Sequence, residues 1–399
     1  GMKVPVEELA WRMERVRRGM RREGIDALLV VQNADLFYLT GTVQQGALWV
    51  PREGEPLFLV RKDLGRAREE SPLTRVEPLR SPRELGEAVL RAGLPWPVAR
   101  AGMEWDVLPV LLARRWETAL QGAEAVDGSP VIREARQCKS PWEVARMEEA
   151  AKVAEEVFAT VPDHLRVGIA EVALAAELER EARRRGHQGV VRMRAFNAEM
   201  FYGHVFAGPD SAVPGGFDTP LGGRGLSPAV AQGAGYRPIQ EGDPVVVDLV
   251  ICLEGYLVDQ TRTFCPGTPS SRLRELHDAT RAIEDAVIRL ARPGTPWGAL
   301  HEAAMTEAER LGLGGCFMGS PGAQVAFVGH GVGIEVDERP FLARGFAKDL
   351  LEPGMTFALE PKVVLPDLGA VGTEDTWLVE ESGVRRLTRG SRDLQVVAG

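Results

Sequence analysis

Val245-Val246-Val247-Asp248-Leu249-Val250-Ile251 sets one carboxylate in the middle of six aliphatic residues. A run this apolar reads as a strand buried on both faces. An ionised acid buried there without compensation is very costly, so Asp248 needs a partner or a cation. The next strand carries a second acid, in Tyr256-Leu257-Val258-Asp259-Gln260-Thr261-Arg262-Thr263-Phe264, and Leu253-Glu254-Gly255 reads as the turn between them. A hairpin centred between Leu253 and Glu254 sets Asp248 directly across from Asp259. Opposed like charges destabilise a sheet by up to roughly 1 kcal/mol in the open, and by more when buried. Either a cation bridges the two acids or one of them holds a proton. Arg262 is a poor counter-charge, because strand alternation turns it to the face opposite Asp259.

A second stretch repeats the pattern. Thr356-Phe357-Ala358-Leu359-Glu360 leads through Pro366-Asp367-Leu368-Gly369 to Val371-Gly372-Thr373-Glu374. Centred on Asp367, this hairpin sets Glu360 opposite Glu374, with Pro361 interrupting the ladder. Gly329-His330-Gly331-Val332-Gly333 adds an imidazole on backbone built for close approach. Four carboxylates and one imidazole suit a pair of divalent transition metals about 3.5–4 Å apart, bridged by carboxylate oxygens. Taken singly, each element has a plainer explanation, such as an ion-paired acid or a loop histidine. Spacing alone leaves both explanations open.

Around this core the chain organises into two parts. Its 399 residues exceed one ordinary core, which predicts two domains. An α/β domain is expected over residues 1–135. Leu9, Met13, Val16 and Met20 share a helical face that ends at Gly24, and Ala27 to Val31 reads as a buried strand. Two further apolar runs, 47–50 and 57–60, flank turn residues and predict a hairpin. Asp127-Gly128-Ser129-Pro130 marks a boundary, and Ser140-Pro141-Trp142-Glu143 is a capping box opening the next helix. The second domain, 136–399, carries helices near 170–185, 272–292 and 296–311. Strand-rich stretches lie at 244–265 and 355–380. That order hints at two similar halves, so an α+β domain is expected.

The formal charge of −9 argues against a general nucleic-acid surface. No apolar run is long enough to span a bilayer, and no signal-peptide pattern opens the chain. Cys138, Cys252, Cys265 and Cys316 have no CxxC spacing, so they read as free thiols in a reducing cytoplasm.

The successive motifs Val247-Asp248, Asp259-Gln260-Thr261-Arg262-Thr263-Phe264, Gly329-His330-Gly331-Val332-Gly333, Glu360-Pro361 and Glu374-Asp375-Thr376 resemble those of the pita-bread metallopeptidases, which include methionine aminopeptidases, prolidases and aminopeptidase P. Gly24-Ile25-Asp26-Ala27-Leu28-Leu29 to Tyr38-Leu39-Thr40-Gly41 resembles the creatinase/prolidase N-terminal domain. The resemblance spans nearly the whole chain and implies a creatinase-type N-terminal domain before a pita-bread catalytic domain, in a homodimer. It also implies two Mn, Co, Zn or Fe ions held by Asp248, Asp259, His330, Glu360 and Glu374. Water activated by the ions attacks a carbonyl while the Glu360 carboxylate shuttles the proton.

The pattern breaks at two histidines that such peptidases carry outside the ligand set. One position is Asp337, in Asp337-Glu338-Arg339-Pro340, and the other aligns with Gly215. A neutral imidazole donates a hydrogen bond to an oxyanion, whereas an ionised aspartate only accepts. Asp337 therefore suits a substrate that offers a donor or a positive charge, and it is a candidate base. His204 is the candidate that compensates. Glu338 and Arg344 are the candidate substrate-binding residues, Arg344 through a substrate carboxylate. His164, His187, His277 and His301 read as bystanders. The expected function is a Xaa-Pro dipeptidase or aminopeptidase acting on short peptides. The alternative is a creatinase-like hydrolase or lyase acting on a small amide, guanidino or onium compound, and a non-catalytic interaction protein that keeps a structural metal is a third.

Overall fold

The computed structural model describes residues 2–200 and 203–398. The chain divides into two compact units, Gly1–Gln137 with Arg192–Ala198, and Cys138–Val191 with Glu199–Gly399. The first cut falls two residues beyond the expected boundary at 135, and the segment 192–198 joins the first unit.

In the first unit, helix Val6–Glu23 buries Leu9, Met13, Val16 and Met20 on one face. It ends at Gly24, whose left-handed φ of 65° turns its N–H back onto the carbonyls of Arg21 and Met20. Six strands follow in the sheet order 76–78, 57–60, 46–51, 27–30, 100–103 and 124–127. Strand 27–30 pairs antiparallel with 46–51 and parallel with 100–103, and 46–51 and 57–60 form the expected hairpin. Helices between the parallel strands complete an α/β layer. Beneath it lies a buried charge cluster. Asp35 is fully buried and takes Arg136 at 2.7 Å and Arg194 at 2.6 Å. Burial alone would raise its carboxyl, but Arg194 and Arg136 outweigh burial and bring it down to about 2.

The second unit opens with helix Pro141–Ala159, capped by the Ser140–Glu143 box read from the sequence. One sheet runs in the order 395–397, 256–266, 245–253 and 203–207. Within this unit a second sheet runs 384–386, 375–379, 356–359, 327–332 and 335–343. A bridge between Thr261 and Glu374, with N–H···O distances of 3.1 and 3.2 Å, joins the two at their centres. Helix Pro141–Ala159 packs on the first hairpin, and helix Trp297–Arg310 packs on strand 335–343. The arrangement is an α+β pita-bread domain with helices outside and strands within. Among the described residues no helix is long and apolar enough to cross a membrane. All four cysteines are free.

The register of the first hairpin corrects the sequence expectation. Asp248 faces Thr261 and Asp259 faces Val250, so the two acids are diagonal rather than opposed. The turn is the two-residue loop Glu254-Gly255, with φ of 50° and 89°, the conformation that matches strand twist. Moving the centre by one residue slides the register by two, which keeps both acids on the same face. The second hairpin keeps its expected register. Lys362 pairs with Gly372 and Leu365 with Gly369, while Leu359 pairs with Asp375 beyond the break. Glu360 and Glu374 therefore face each other across the interruption at Pro361.

Asp35→Ala removes the buried carboxylate that Arg136 and Arg194 share, while Arg194 keeps Asp106 at 2.6 Å, and a loss of roughly 3 kcal/mol is expected from urea unfolding at pH 7. The folded value of about 2 lies below the unfolded value of about 3.9. The Asp35 contribution is thus complete above about pH 4 and fades as pH falls toward 2. A variant as stable as the parent at pH 7 contradicts this account.

Candidate metal centre

Five acids and bases arrive at one point from separate strands. Asp248 comes from strand 245–253, Asp259 from 256–266 and His330 from 327–332, while Glu360 follows strand 356–359 and Glu374 precedes strand 375–379. His330 lies mid-sheet, paired with Ala358 on one side and Phe341 on the other. Its glycine neighbours permit this. A Cβ on Gly329 would lie 2.4 Å from the Ala358 carbonyl oxygen, and one on Gly331 2.3 Å from that of Arg339. Asp259, His330, Glu360 and Glu374 are all buried, and Asp248 is half-buried.

Two poles emerge from the geometry. At the first, His330 Nε2 lies 3.5 Å from Glu360 Oε1, 3.7 Å from Asp259 Oδ2 and 3.9 Å from Glu374 Oε1. A tetrahedral shell with bonds of about 2.1 Å puts its ligand atoms about 3.4 Å apart, so each of the three oxygens stands close to ligand spacing from His330 Nε2. Ligand atoms of Asp259, His330 and Glu374 lie within 4.8 Å of one another. Asp259 Oδ1 and Glu374 Oε1 are buried without a hydrogen-bond partner, as expected of atoms shaped for a cation. The donor set fits a divalent ion.

At the second pole stands a residue absent from the expected set. Lys362 is fully buried, and its Nζ lies 2.7 Å from Glu360 Oε2, 3.0 Å from Glu374 Oε2 and 3.6 Å from Asp248 Oδ2. Its signal in the sequence is a lysine opening the otherwise apolar strand Lys362-Val363-Val364-Leu365, two residues after a ligand glutamate.

Electrostatics follow from the crowding. Burial, with Glu374 and Asp248 adding to it, pushes Asp259 well above the usual carboxylate range. Burial also raises Asp248, Glu360 and Glu374, while Lys362 pulls each back. For Lys362 burial opposes the charge, but Glu360, Glu374 and Asp248 prevail and hold the ammonium well above its ordinary value. His330 behaves alike: burial is outweighed by Asp337, Glu360 and Glu374. Hydroxyls orient the acids. Thr261 donates to Glu374 Oε2 at 2.7 Å, and Thr376 donates to the Asp259 carbonyl at 2.9 Å. Arg262 lies on the other face, as expected, where it holds Asp375 at 2.8 Å.

The outer candidates divide. Asp337 Oδ1 lies 3.5 Å from His330 Nδ1, its side chain is 46% exposed, and its φ of 64° is left-handed. His204 pairs with Asp248 across the strands, and burial, helped by Lys362, lowers it to about 4. A Cβ at Gly215 would lie 2.0 Å from Gln232 Oε1, so a side chain there requires Gln232 to move. Two candidates have further surroundings. Glu338 accepts the N–H groups of Ile334 and Glu335 at 2.9 and 3.0 Å and the Lys139 ammonium at 3.0 Å, so it ties down a turn. Arg344 is exposed past the end of strand 335–343, where its charge acts on His301.

The model of the creatinase/prolidase N-terminal domain matches residues 12–138, and that of metallopeptidase family M24 matches residues 145–381. A Xaa-Pro dipeptidase of Pyrococcus furiosus is 26% identical over 385 residues, covering 96% of this chain and 99% of that protein. The prolidase structure from Pyrococcus horikoshii superposes with a TM-score of 0.79 at 25% identity, covering 96% and 99% of the two chains. The structure of a Xaa-Pro dipeptidase from Bacillus anthracis gives 0.82 at 23% identity, covering 98% and 100%.

Glu374 reaches both poles, so Glu374→Ala is expected to lower bound divalent metal by at least tenfold in elemental analysis of desalted protein. Unchanged metal content in a folded variant rules out the ligand set.

Proposed function

Because the chain belongs to metallopeptidase family M24, we propose that it is a metal-dependent peptidase cleaving the Xaa–Pro bond of dipeptides and short peptides. The observation that carries this reading is the convergence of Asp259, His330, Glu360 and Glu374 on one point, with two carboxylate oxygens left unpartnered. These four residues, with Asp248 beside them, are the proposed holders of Mn, Co, Zn or Fe. A divalent ion bound there supplies Lewis acidity, which acidifies water and polarises the scissile carbonyl.

The chain's own groups do the rest. Glu360 takes the proton from the attacking water and returns it to the departing amine. Burial raises its carboxyl above the ordinary glutamate range, the direction that suits a group that takes a proton and gives it back. His204, held neutral at pH 7, keeps one ring N–H to donate to the developing oxyanion, the task the missing histidines leave open. Asp337 lies 3.5 Å from His330 Nδ1, which the Gly331 carbonyl meets at 3.2 Å, and faces solvent on its other side. There it accepts from the ammonium terminus of a peptide. The reading extends to a homodimer in a reducing cytoplasm, with which the free thiols agree.

One observation favours the alternative, a small guanidino or onium substrate. Asp337 is an exposed acid beside a proposed ligand, where a donor-rich cation would find it. The discriminating experiment is hydrolysis of Ala-Pro, Leu-Pro and a Pro-containing tripeptide by metal-stripped protein with Mn, Co or Zn restored. Metal-dependent cleavage next to proline is expected. Silence on these peptides with turnover of small amides or betaines transfers the reading to the alternative. His204→Ala is expected to lower kcat about 10²-fold. Asp337→His is expected to keep or raise peptidase activity, and a loss instead assigns Asp337 a chemical role of its own.

A further inference from the structure

The second pole of the site is already filled. Three carboxylate oxygens, one each from Asp248, Glu360 and Glu374, converge on the Lys362 ammonium at 2.7–3.6 Å. Three oxygens drawn around one centre from separate strands are the surroundings of a cation. Glu360 and Glu374 each divide their oxygens, one toward His330 and the other toward Lys362. Divided carboxylates of this kind are the bridging arrangement of a two-ion site. Here one of the two centres is a covalently tethered ammonium.

The lysine is built into place. Its stem runs across Gly372, its partner in the hairpin, where an added Cβ would lie 2.4 Å from Lys362 Cγ. Only glycine leaves the stem its path. The strand it opens is pinned as well, since the Lys362 carbonyl accepts the Met318 N–H at 2.8 Å. Lys362 itself is 0% exposed, so solvent offers its ammonium no alternative partner. An ion at the second pole would have to displace a charged group from the same oxygens it needs as ligands. The first pole has no such occupant.

We propose that Lys362 replaces the second metal ion, so that the protein binds a single divalent ion at His330, Asp259, Glu360 and Glu374. This narrows the pair of ions expected from the resemblance to one. It rests on the metal-dependent reading above but not on the choice of substrate. The tethered ammonium supplies one positive charge where an ion supplies two. It balances Asp248 and orients the far oxygens of the two glutamates, and it does so at any metal concentration.

The test counts ions. Metal-stripped full-length protein is titrated with Mn²⁺, desalted and analysed for metal per chain, and its electron paramagnetic resonance spectrum is recorded. About one Mn²⁺ per chain is expected, with the spectrum of an isolated ion and no exchange coupling. In Lys362→Gly, shown to be folded by circular dichroism, the count is expected to rise to about two and coupling to appear. Two coupled ions in the unsubstituted protein overturn the proposal and leave the metallopeptidase reading intact. A folded Lys362→Gly protein that still takes only one ion also overturns it. No bound Mn²⁺ at all removes both this proposal and the metal reading beneath it. If Lys362→Gly does not fold, the count and spectrum of the unsubstituted protein decide the matter alone.

Discussion

Mutual repulsion among four crowded carboxylates, three buried and Asp248 half-buried, is the constraint on which the second unit depends. Burial drives each above its usual range. Strands that carry such residues to one point must also bring positive charge there. Lys362 is the part of that charge which the chain supplies itself. Its ammonium stays protonated in a fully buried position because three acids face it. The residual negative charge gathers on the side of His330, where two oxygens remain unpartnered. The scaffold is thus held partly compensated before any ion enters, and selective for cations when one does.

Backbone geometry makes the convergence possible. Gly329 and Gly331 let three strands close around His330 with carbonyls where a Cβ would otherwise stand. The break at Pro361 releases Glu360 and Glu374 from regular pairing while the ladders on either side keep one register. The bridge between Thr261 and Glu374 then ties the two sheets together at the same place, and the Thr261 hydroxyl fixes a carboxylate oxygen. Fold and site share the same hydrogen bonds, so damage to one is felt by the other.

Much of this was legible in the sequence, because burial of an acid within an aliphatic run is a contradiction that only chemistry resolves. Asp248 in Val245–Ile251 announced itself in that way. The capping box at Ser140, the Gly24 terminus and the hairpin centred on Asp367 were legible from local rules. The register of the first hairpin was misplaced by two residues because the turn is the two-residue loop Glu254-Gly255, with Glu254 in a left-handed conformation that non-glycine residues seldom take. Lys362 escaped notice for a different reason. A lysine at the start of a strand ordinarily reaches water, and no pattern along one strand reveals that acids from three others surround its end. The surroundings of Glu338 were equally hidden, its carboxylate meeting Ile334, Glu335 and Lys139, which lie close in space through a turn and a distant helix start.

The contrast between Asp337 and its neighbours follows from the same electrostatics. An acid inside the cluster needs a cation to be tolerated, whereas Asp337 keeps nearly half its side chain in water. Its φ of 64° fixes the carboxylate against His330 Nδ1, the ring nitrogen turned away from the other acids. A histidine there would offer the substrate a hydrogen-bond donor, and an aspartate offers an acceptor, so the chemistry at the rim has changed sign. His204 answers from across the pole, opposite Asp248 and held neutral. On the proposed reading, the donor to the oxyanion stands on the strand beside the lysine, and the rim meets the charge of what enters.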